Sequence, residues 1–267
     1  MILTTVIPTL NEKENIGPCI GSAKALPGEI LVMDDSSDGT DTLARDLGAR
    51  VVHRDFPDIT SKRNMALDMA LGDYVFFLDA DERLSPKLAS EIIAFLESGK
   101  RSACAMRRHN EAFGRKVRFG PLYPDWVTRL FPTKEVRWKG LIHERPVHSL
   151  PVVKLKGPML HHTYPDFATY LRKQAFYAKL WAEEARDLGK TATPWKAVNR
   201  AYLSFLKMFF LKLGILGGPV GWALCWYYSS GYTLSKYLLL ADKCRKAGEL
   251  PKESEEPAEK EPKKDNI

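Results

Sequence analysis

The sequence predicts an α/β fold with a mostly parallel sheet, followed by a C-terminal helical segment, and three observations predict it. Over the first 80 residues, short apolar runs alternate with helix-patterned stretches, the signature of βαβ units. Three of those runs end in polar, acid-rich clusters, as strands of an open α/β sheet do at a ligand-binding rim. From Phe167 to Arg245 the pattern is helical and rich in aromatics. Taken in order, residues 3–7, 29–33, 50–53 and 73–78 read as strands. Residues 15–25, 41–47 and 62–71 read as the intervening helices, the second with Thr40 as N-cap. A further helix opens at Ser85-Pro86, with Ser as N-cap and Pro at the first helical position. It then sets Leu88, Ile92, Phe95 and Leu96 on one face. Residues 100–165 read as mixed strand and loop, and the Lys, Glu and Pro of 247–267 read as a disordered charged tail. The expected divisions are therefore 1–165, 166–246 and 247–267.

Composition narrows the function classes. At 267 residues, with 45% hydrophobic and 27% charged residues, the chain is ordinary globular protein and neither fibrous nor wholly disordered. Forty Lys+Arg against 33 Asp+Glu give a net charge of +7, which asks for an anionic counterpart. From Leu250 onward four Lys face five Glu and one Asp, so the tail carries −2 and the body about +9. The surplus gathers at 101–145 and 166–212, where no nucleic-acid recognition motif occurs, so nucleic acid is not an expected partner. Four cysteines without CxxC or zinc spacing fit a reducing compartment. The N-terminus has no basic region before a short apolar run, so a cytoplasmic location is expected.

The three rim clusters are Pro8-Thr9-Leu10-Asn11-Glu12, Asp34-Asp35-Ser36-Ser37-Asp38-Gly39-Thr40 and Asp79-Ala80-Asp81-Glu82. One acidic turn would be an ordinary cap or turn; three on one rim gather carboxylates where a ligand would lie. Two carboxylates two residues apart, as in Asp79-Ala80-Asp81, suit the hard cations Mg²⁺ or Mn²⁺. No GxGxxG or P-loop motif occurs, which sets aside those nucleotide-binding types.

Val6-Ile7-Pro8-Thr9-Leu10-Asn11-Glu12, Asp34 to Thr40, Lys62-Arg63-Asn64 and Leu78-Asp79-Ala80-Asp81-Glu82 resemble, in order and spacing, the signatures of family 2 glycosyltransferases. The resemblance covers roughly residues 1–165 and implies the GT-A (Rossmann-like) fold, a nucleotide-sugar donor such as a UDP-hexose, a divalent metal and inversion at the anomeric carbon. It implies that Asp35 hydrogen-bonds the donor base, that Thr9 and Glu12 line the nucleotide site, and that Arg63 contacts base or diphosphate. Asp79 is implied to face the ribose or the metal's water shell, and Asp81 to ligate the metal. Glu144, in His143-Glu144, is implied to be the general base, with His143 orienting it. His161 is implied to close the site near the diphosphate or metal, and an imidazole ligand leans towards Mn²⁺. Ordinary roles stand beside these: turn or cap carboxylates for Asp34 and Asp38, a solvated helix-start cation for Lys62, and an exposed turn residue for Glu82. Trp126 and Trp138 are open between stacking on a sugar and packing in the core.

Tyr123-Pro124-Asp125-Trp126, Arg129-Leu130-Phe131, Trp138-Lys139-Gly140, His143-Glu144 and His161-His162-Thr163-Tyr164 resemble the lipopolysaccharide-core β-glucosyltransferase branch of that family. That branch implies glucose as the hexose and a cell-envelope glycan or glycolipid as acceptor. A polyprenyl-phosphate glycosyltransferase is the alternative enzyme, and a non-catalytic membrane-surface adaptor the alternative of another class. Residues 213–235 hold no charge over 23 positions, long enough to span a bilayer, yet Gly217-Gly218-Pro219 interrupts them. In-plane attachment to an anionic membrane surface, on the cytoplasmic face of the inner membrane, is the expectation; a helical cap is the alternative.

Overall fold

The computed structural model describes residues 1–140 and 144–248; His143 and the tail from 249 onward lie outside the described residues. The chain divides into two compact units, 1–111 with 124–163 and 112–123 with 164 onward. In the first unit β1 (Leu3–Thr9), β2 (Glu29–Asp34), β3 (Arg50–His53) and β4 (Tyr74–Phe77) form the parallel half of a nine-stranded sheet. Their linking helices are α1 (Lys13–Ala23), α2 (Thr40–Asp46) and α3 (Ile59–Met69). Every residue of β1 and β4 is buried, so both read as unbroken apolar runs rather than as alternating ones. Alternation survives in what each face packs against: Leu3 and Ile7 join Ile16, Ile20 and Leu88, whereas Val6 joins Ala66, Phe77 and Trp138.

Sheet order runs β3-β2-β1-β4-β8-β6-β11-β5, and the remaining strand, β7, is Arg115–Lys116. Beyond β4 the sheet is antiparallel in the pairs β4/β8, β8/β6 and β11/β5. These strands are β5 (Glu82–Leu84), β6 (Ala103–Ala112), β8 (Asp125–Pro132) and β11 (Val152–Tyr164); α4 (Pro86–Glu97) follows β5. Ser85 caps α4 as expected, its hydroxyl accepting from the Leu88 N–H at 3.1 Å. A separate two-stranded ladder joins β9 (Arg137–Lys139) to β10 (Arg145–Val147). The chain leaves β1 for β2 on one side and enters β4 on the other. The reversal in strand order opens a crevice at the carboxyl ends of β1 and β4.

Two helix starts differ from the sequence reading. Asp58 caps α3, accepting from Ser61 N at 2.7 Å, so the helix begins three residues before Lys62. Lys62 is thus a second-turn residue rather than a solvated helix start, and it is buried. Gly39, not Thr40, is the N-cap of α2; its φ of 88° is a left-handed conformation that glycine adopts without strain.

In the second unit, α5 (Phe167–Asp187) packs with α8 (Ser235–Ala247) through Ala182, Ala185, Leu240, Ala241 and Cys244. Between them lie α6 (Pro194–Leu206), a π-helical turn at Lys207–Leu211, a 3₁₀ turn at Gly214–Gly217, α7 (Gly218–Tyr227) and a π-helical stretch at Tyr228–Leu234. No single described helix is long and apolar enough to cross a membrane. One pair, Pro194–Leu211 with Gly214–Ala247, reaches the length and composition but is bent by 70°. The bend is built from Leu213, at φ 54°, and Gly214, where a Cβ would lie 2.3 Å from Cys225 Sγ.

Candidate active site at the β1/β4 crevice

The rim begins with two loops laced to each other. The fully buried Asp34 accepts from Thr9 Oγ1 (2.6 Å), Ser36 Oγ (2.6 Å) and Ser36 N (3.1 Å), and meets His53 Nδ1 at 2.7 Å. Burial works against its charged form, but this ring of donors holds its pKa below the ordinary carboxylate value. Asn11, at φ 56°, donates its N–H to Ser36 Oγ and accepts from Ser37 N, while Glu12 N donates to Thr40 Oγ1. Asp34 and Asp38 therefore organise the loops. The Thr9 hydroxyl is spent on Asp34, and the Glu12 carboxylate accepts from Asn15 Nδ2 at 2.8 Å.

Helix α3 sends two cations inward. Lys62 Nζ donates to Thr9 O (2.6 Å) and to the Asp35 carboxylate. Arg63 is 4% exposed; its guanidinium lies 4.2 Å from the Trp138 ring centre, donates to Asp79 Oδ1 (2.8 Å) and reaches Glu144 Oε1 at 3.7 Å. Asn64 ties the same helix to β9, exchanging two 2.9 Å hydrogen bonds with the Trp138 backbone. Trp138 is core, ringed by Phe77 and Phe131, whereas Trp126 is exposed beneath Lys154.

The Asp79–Glu82 turn is the centre of charge. Asp79 Oδ2 accepts from Arg129 on β8, which also meets Glu82 Oε1 at 3.3 Å. Glu82 is fully buried, accepts from Asp79 N at 2.9 Å, and lies 3.4 Å from Arg108 Nη1. Burial by itself would raise Asp79, but Arg129 and then Arg63 outweigh it and hold the carboxyl well below its usual range. For Glu82 burial wins, helped by Asp79 and opposed by Arg129, and its pKa is raised. Burial pushes the Arg63 pKa down; at Arg129 burial acts the same way, but Asp79, Glu82 and Glu144 together outweigh it and the pKa is raised.

Asp81, on the same turn, meets His161 of β11, Oδ2 to Nε2 at 3.4 Å. The hydrogen-bond network assigns the ring's proton. Asp125, gripped by Arg108 at 2.8 and 3.2 Å, accepts from Asn110 Nδ2 at 3.0 Å. The Asn110 amide oxygen then faces His161 Nδ1 at 2.6 Å, and an oxygen only accepts, so Nδ1 carries the hydrogen. Nε2 then faces the Asp81 carboxylate. An imidazole nitrogen and a carboxylate oxygen placed this way make a candidate ligand pair for a divalent cation. Asp34, Asp41 and His53 also bring ligand atoms within 4.8 Å of one another, but Asp34 and Asp41 already accept from Thr9, Ser36 and Arg45.

Of the residues singled out by sequence, the structure joins Arg63, Asp79 and Glu144 in one cluster, Asp81 and His161 in a second, and Thr9 and Asp35 around Lys62. Glu12 sits at the N-cap of α1, its N–H on Thr40 Oγ1 and its carboxylate on Asn15. Arg63 faces the Asp79 and Glu144 carboxylates and the Trp138 indole. Sequence reasoning gave no role to Arg129, Arg108, Asn110 or Asp125. Their signal was present: a charged residue inside an apolar strand, as in Arg129-Leu130-Phe131, is buried only with a partner.

An uncharacterized glycosyltransferase of Rickettsia prowazekii is 27% identical over 232 residues, spanning 79% of this chain and 77% of its own length. Staphylococcus aureus TarS 1–349 in complex with UDP-GlcNAc is similar over 92% of both chains, with 15% identity and a TM-score of 0.47. Mycobacterium tuberculosis glucosyl-3-phosphoglycerate synthase, in complex with Mn²⁺, UDP and its product, is similar over 72% of this chain and 81% of its own, at 18% identity and TM-score 0.46. The model of glycosyl transferase family 2 matches residues 4–154, which contain all three rim clusters and the crevice between β1 and β4. With more than half of its length under that match, and a mixed sheet carrying the GT-A arrangement, this chain belongs to glycosyl transferase family 2.

Proposed function

We propose that this glycosyltransferase moves a hexose, glucose by its branch resemblance, from a UDP-sugar to a cell-envelope glycan or glycolipid such as the lipopolysaccharide core, by metal-dependent inversion. The observation that carries the reading is Asp81, on the same turn as Asp79, facing His161 of β11, with Glu144 joined to that turn through Arg63. In this reading Asp35, held by Lys62, takes the donor base, and Glu12 borders the nucleotide from the facing loop. Asp81 and His161 would hold the divalent ion, Mn²⁺ or Mg²⁺, whose charge would offset that of the departing diphosphate. Glu144 accepts the proton of the acceptor hydroxyl on a carboxylate oxygen as that hydroxyl attacks the anomeric carbon. Arg63, held by Asp79 at 2.8 Å, stands 3.7 Å from that carboxylate and orients it.

Glu144→Gln tests the assignment. Transfer at saturating UDP-glucose should fall on the order of 10²- to 10⁴-fold while donor affinity stays within about threefold. Retained turnover with lost donor binding would remove Glu144 from the proton step.

A further inference from the structure

The helical unit carries a surface that the glycosyl-transfer reading leaves unused. Helix α6 buries only Ala197 among its 13 residues. Trp195 (72% exposed), Val198 and Tyr202 recur at i, i+3 and i+7 and share one face. That face continues into α7 through ring contacts. Phe205 meets Trp226 at 5.9 Å and Phe209 at 5.1 Å, and Phe209 meets Phe210 at 5.1 Å. Trp222, one turn before Trp226 on α7, donates its Nε1–H to Ile215 O at 2.8 Å. Leu211, in the bend, is 81% exposed. A water-soluble surface rarely leaves so much joined aromatic area uncovered without something that covers it.

Charge identifies the cover. Residues 188–241 contain Lys190, Lys196, Arg200, Lys207, Lys212 and Lys236 and no Asp or Glu. Lys236 is enclosed by the rings of Trp181, Tyr232 and Tyr237, and Lys196 and Lys207 are exposed. The segment 112–123, which belongs to the same unit, adds Arg115, Lys116 and Arg118, again without an acid. Those three exposed cations line a cavity of about 370 Å³ together with Leu216, Pro219 and Val220 at the apolar bend. Gly120 N, donating to Lys212 O at 2.9 Å, fastens the cationic segment to the bend.

We infer that this face docks in the plane of an anionic bilayer. The α6–α7 aromatics enter the acyl boundary, and Arg115, Lys116 and Arg118 receive lipid phosphates in the cavity beside the bend. A helix broken by 70° and studded with cations lies in an interface more readily than it crosses one, and aromatics with Lys/Arg are the residue types that settle there. The inference rests on the helical unit alone, so it stands whichever acceptor the enzyme uses.

The test is flotation of the full chain with vesicles of phosphatidylcholine alone and of phosphatidylcholine with 25% phosphatidylglycerol. Binding should require phosphatidylglycerol, weaken at 0.5 M NaCl, and fall on the order of 100-fold in R115Q/K116Q/R118Q. Brominated acyl chains should quench tryptophan fluorescence of the unaltered protein, a readout that needs no substitution. Circular dichroism and donor binding should be the same in the triple variant, since its residues lie outside the crevice. Equal flotation with both vesicle types, absence of quenching, or a concentration-dependent dimer that does not float would each overturn the inference. Vesicle binding combined with transfer only to a soluble acceptor would leave the surface standing and remove the glycolipid reading instead.

Discussion

Asp79 shows how much of this site is electrostatic architecture. It sits between two buried arginines, and a neutral amide there would leave two guanidiniums facing only Glu82 and Glu144. Asp79→Asn should cost about 3 kcal/mol in urea unfolding, as expected when one partner of a buried ion pair is removed. The sign with pH follows from the depressed folded pKa. The contribution is complete above the ordinary carboxylate value and is lost as pH falls through it. Wild-type stability should therefore decline between about pH 5 and pH 3, and Asp79→Asn should show a shallower acid limb. Glu82 has the opposite sign, its raised pKa making ionisation unfavourable as pH rises, so it cannot produce that decline. An acid limb of unchanged slope in the variant would contradict the arginine clamp. At this scale the sequence displayed the acids but not their partners. Asp79 and Arg129 are fifty positions apart, and only the β4/β8 ladder brings their strands together.

Among the elements, α3 does the most positioning, carrying Lys62 to Asp35, Arg63 to Asp79 and Asn64 to Trp138 from consecutive residues. Its first turn depends on Asp58, which accepts from both Ser61 N and Ser61 Oγ. Asp58→Ala should lower stability by about 1 kcal/mol, measured by thermal or urea unfolding, and should weaken donor binding by loosening Lys62. A stability loss without any change in donor binding would place the cap outside the site's support. The parallel strands β1 to β4 were legible because strands buried on both faces leave uninterrupted apolar runs. The antiparallel half was not, because β6, β8 and β11 mix buried apolar residues with Arg107, Arg108, Arg129 and His161. Such strands break both the apolar run and the alternation by which strands are recognised. The start of α3 was missed for a local reason: Pro57 and two β-branched residues, Ile59 and Thr60, obscured the cap.

For the whole molecule, the charge surplus separates into two kinds. Arg63 and Arg129 are buried and Arg108 is half-buried, all three matched against Asp79, Glu82 and Asp125. The acid-free segments of the helical unit carry the outward surplus and point to an anionic surface. Under the proposed function the crevice takes a nucleotide-sugar and the Asp81–His161 pair holds a divalent ion. Isothermal titration calorimetry of UDP-glucose, with Mn²⁺ and then with EDTA, compares the wild type with Asp81→Asn most directly. Binding should be present with Mn²⁺, weaken at least about tenfold in EDTA, and be equally weak in Asp81→Asn under both conditions. Wild-type affinity that is the same in EDTA as in Mn²⁺, or an Asp81→Asn protein that binds as tightly as wild type, would contradict it.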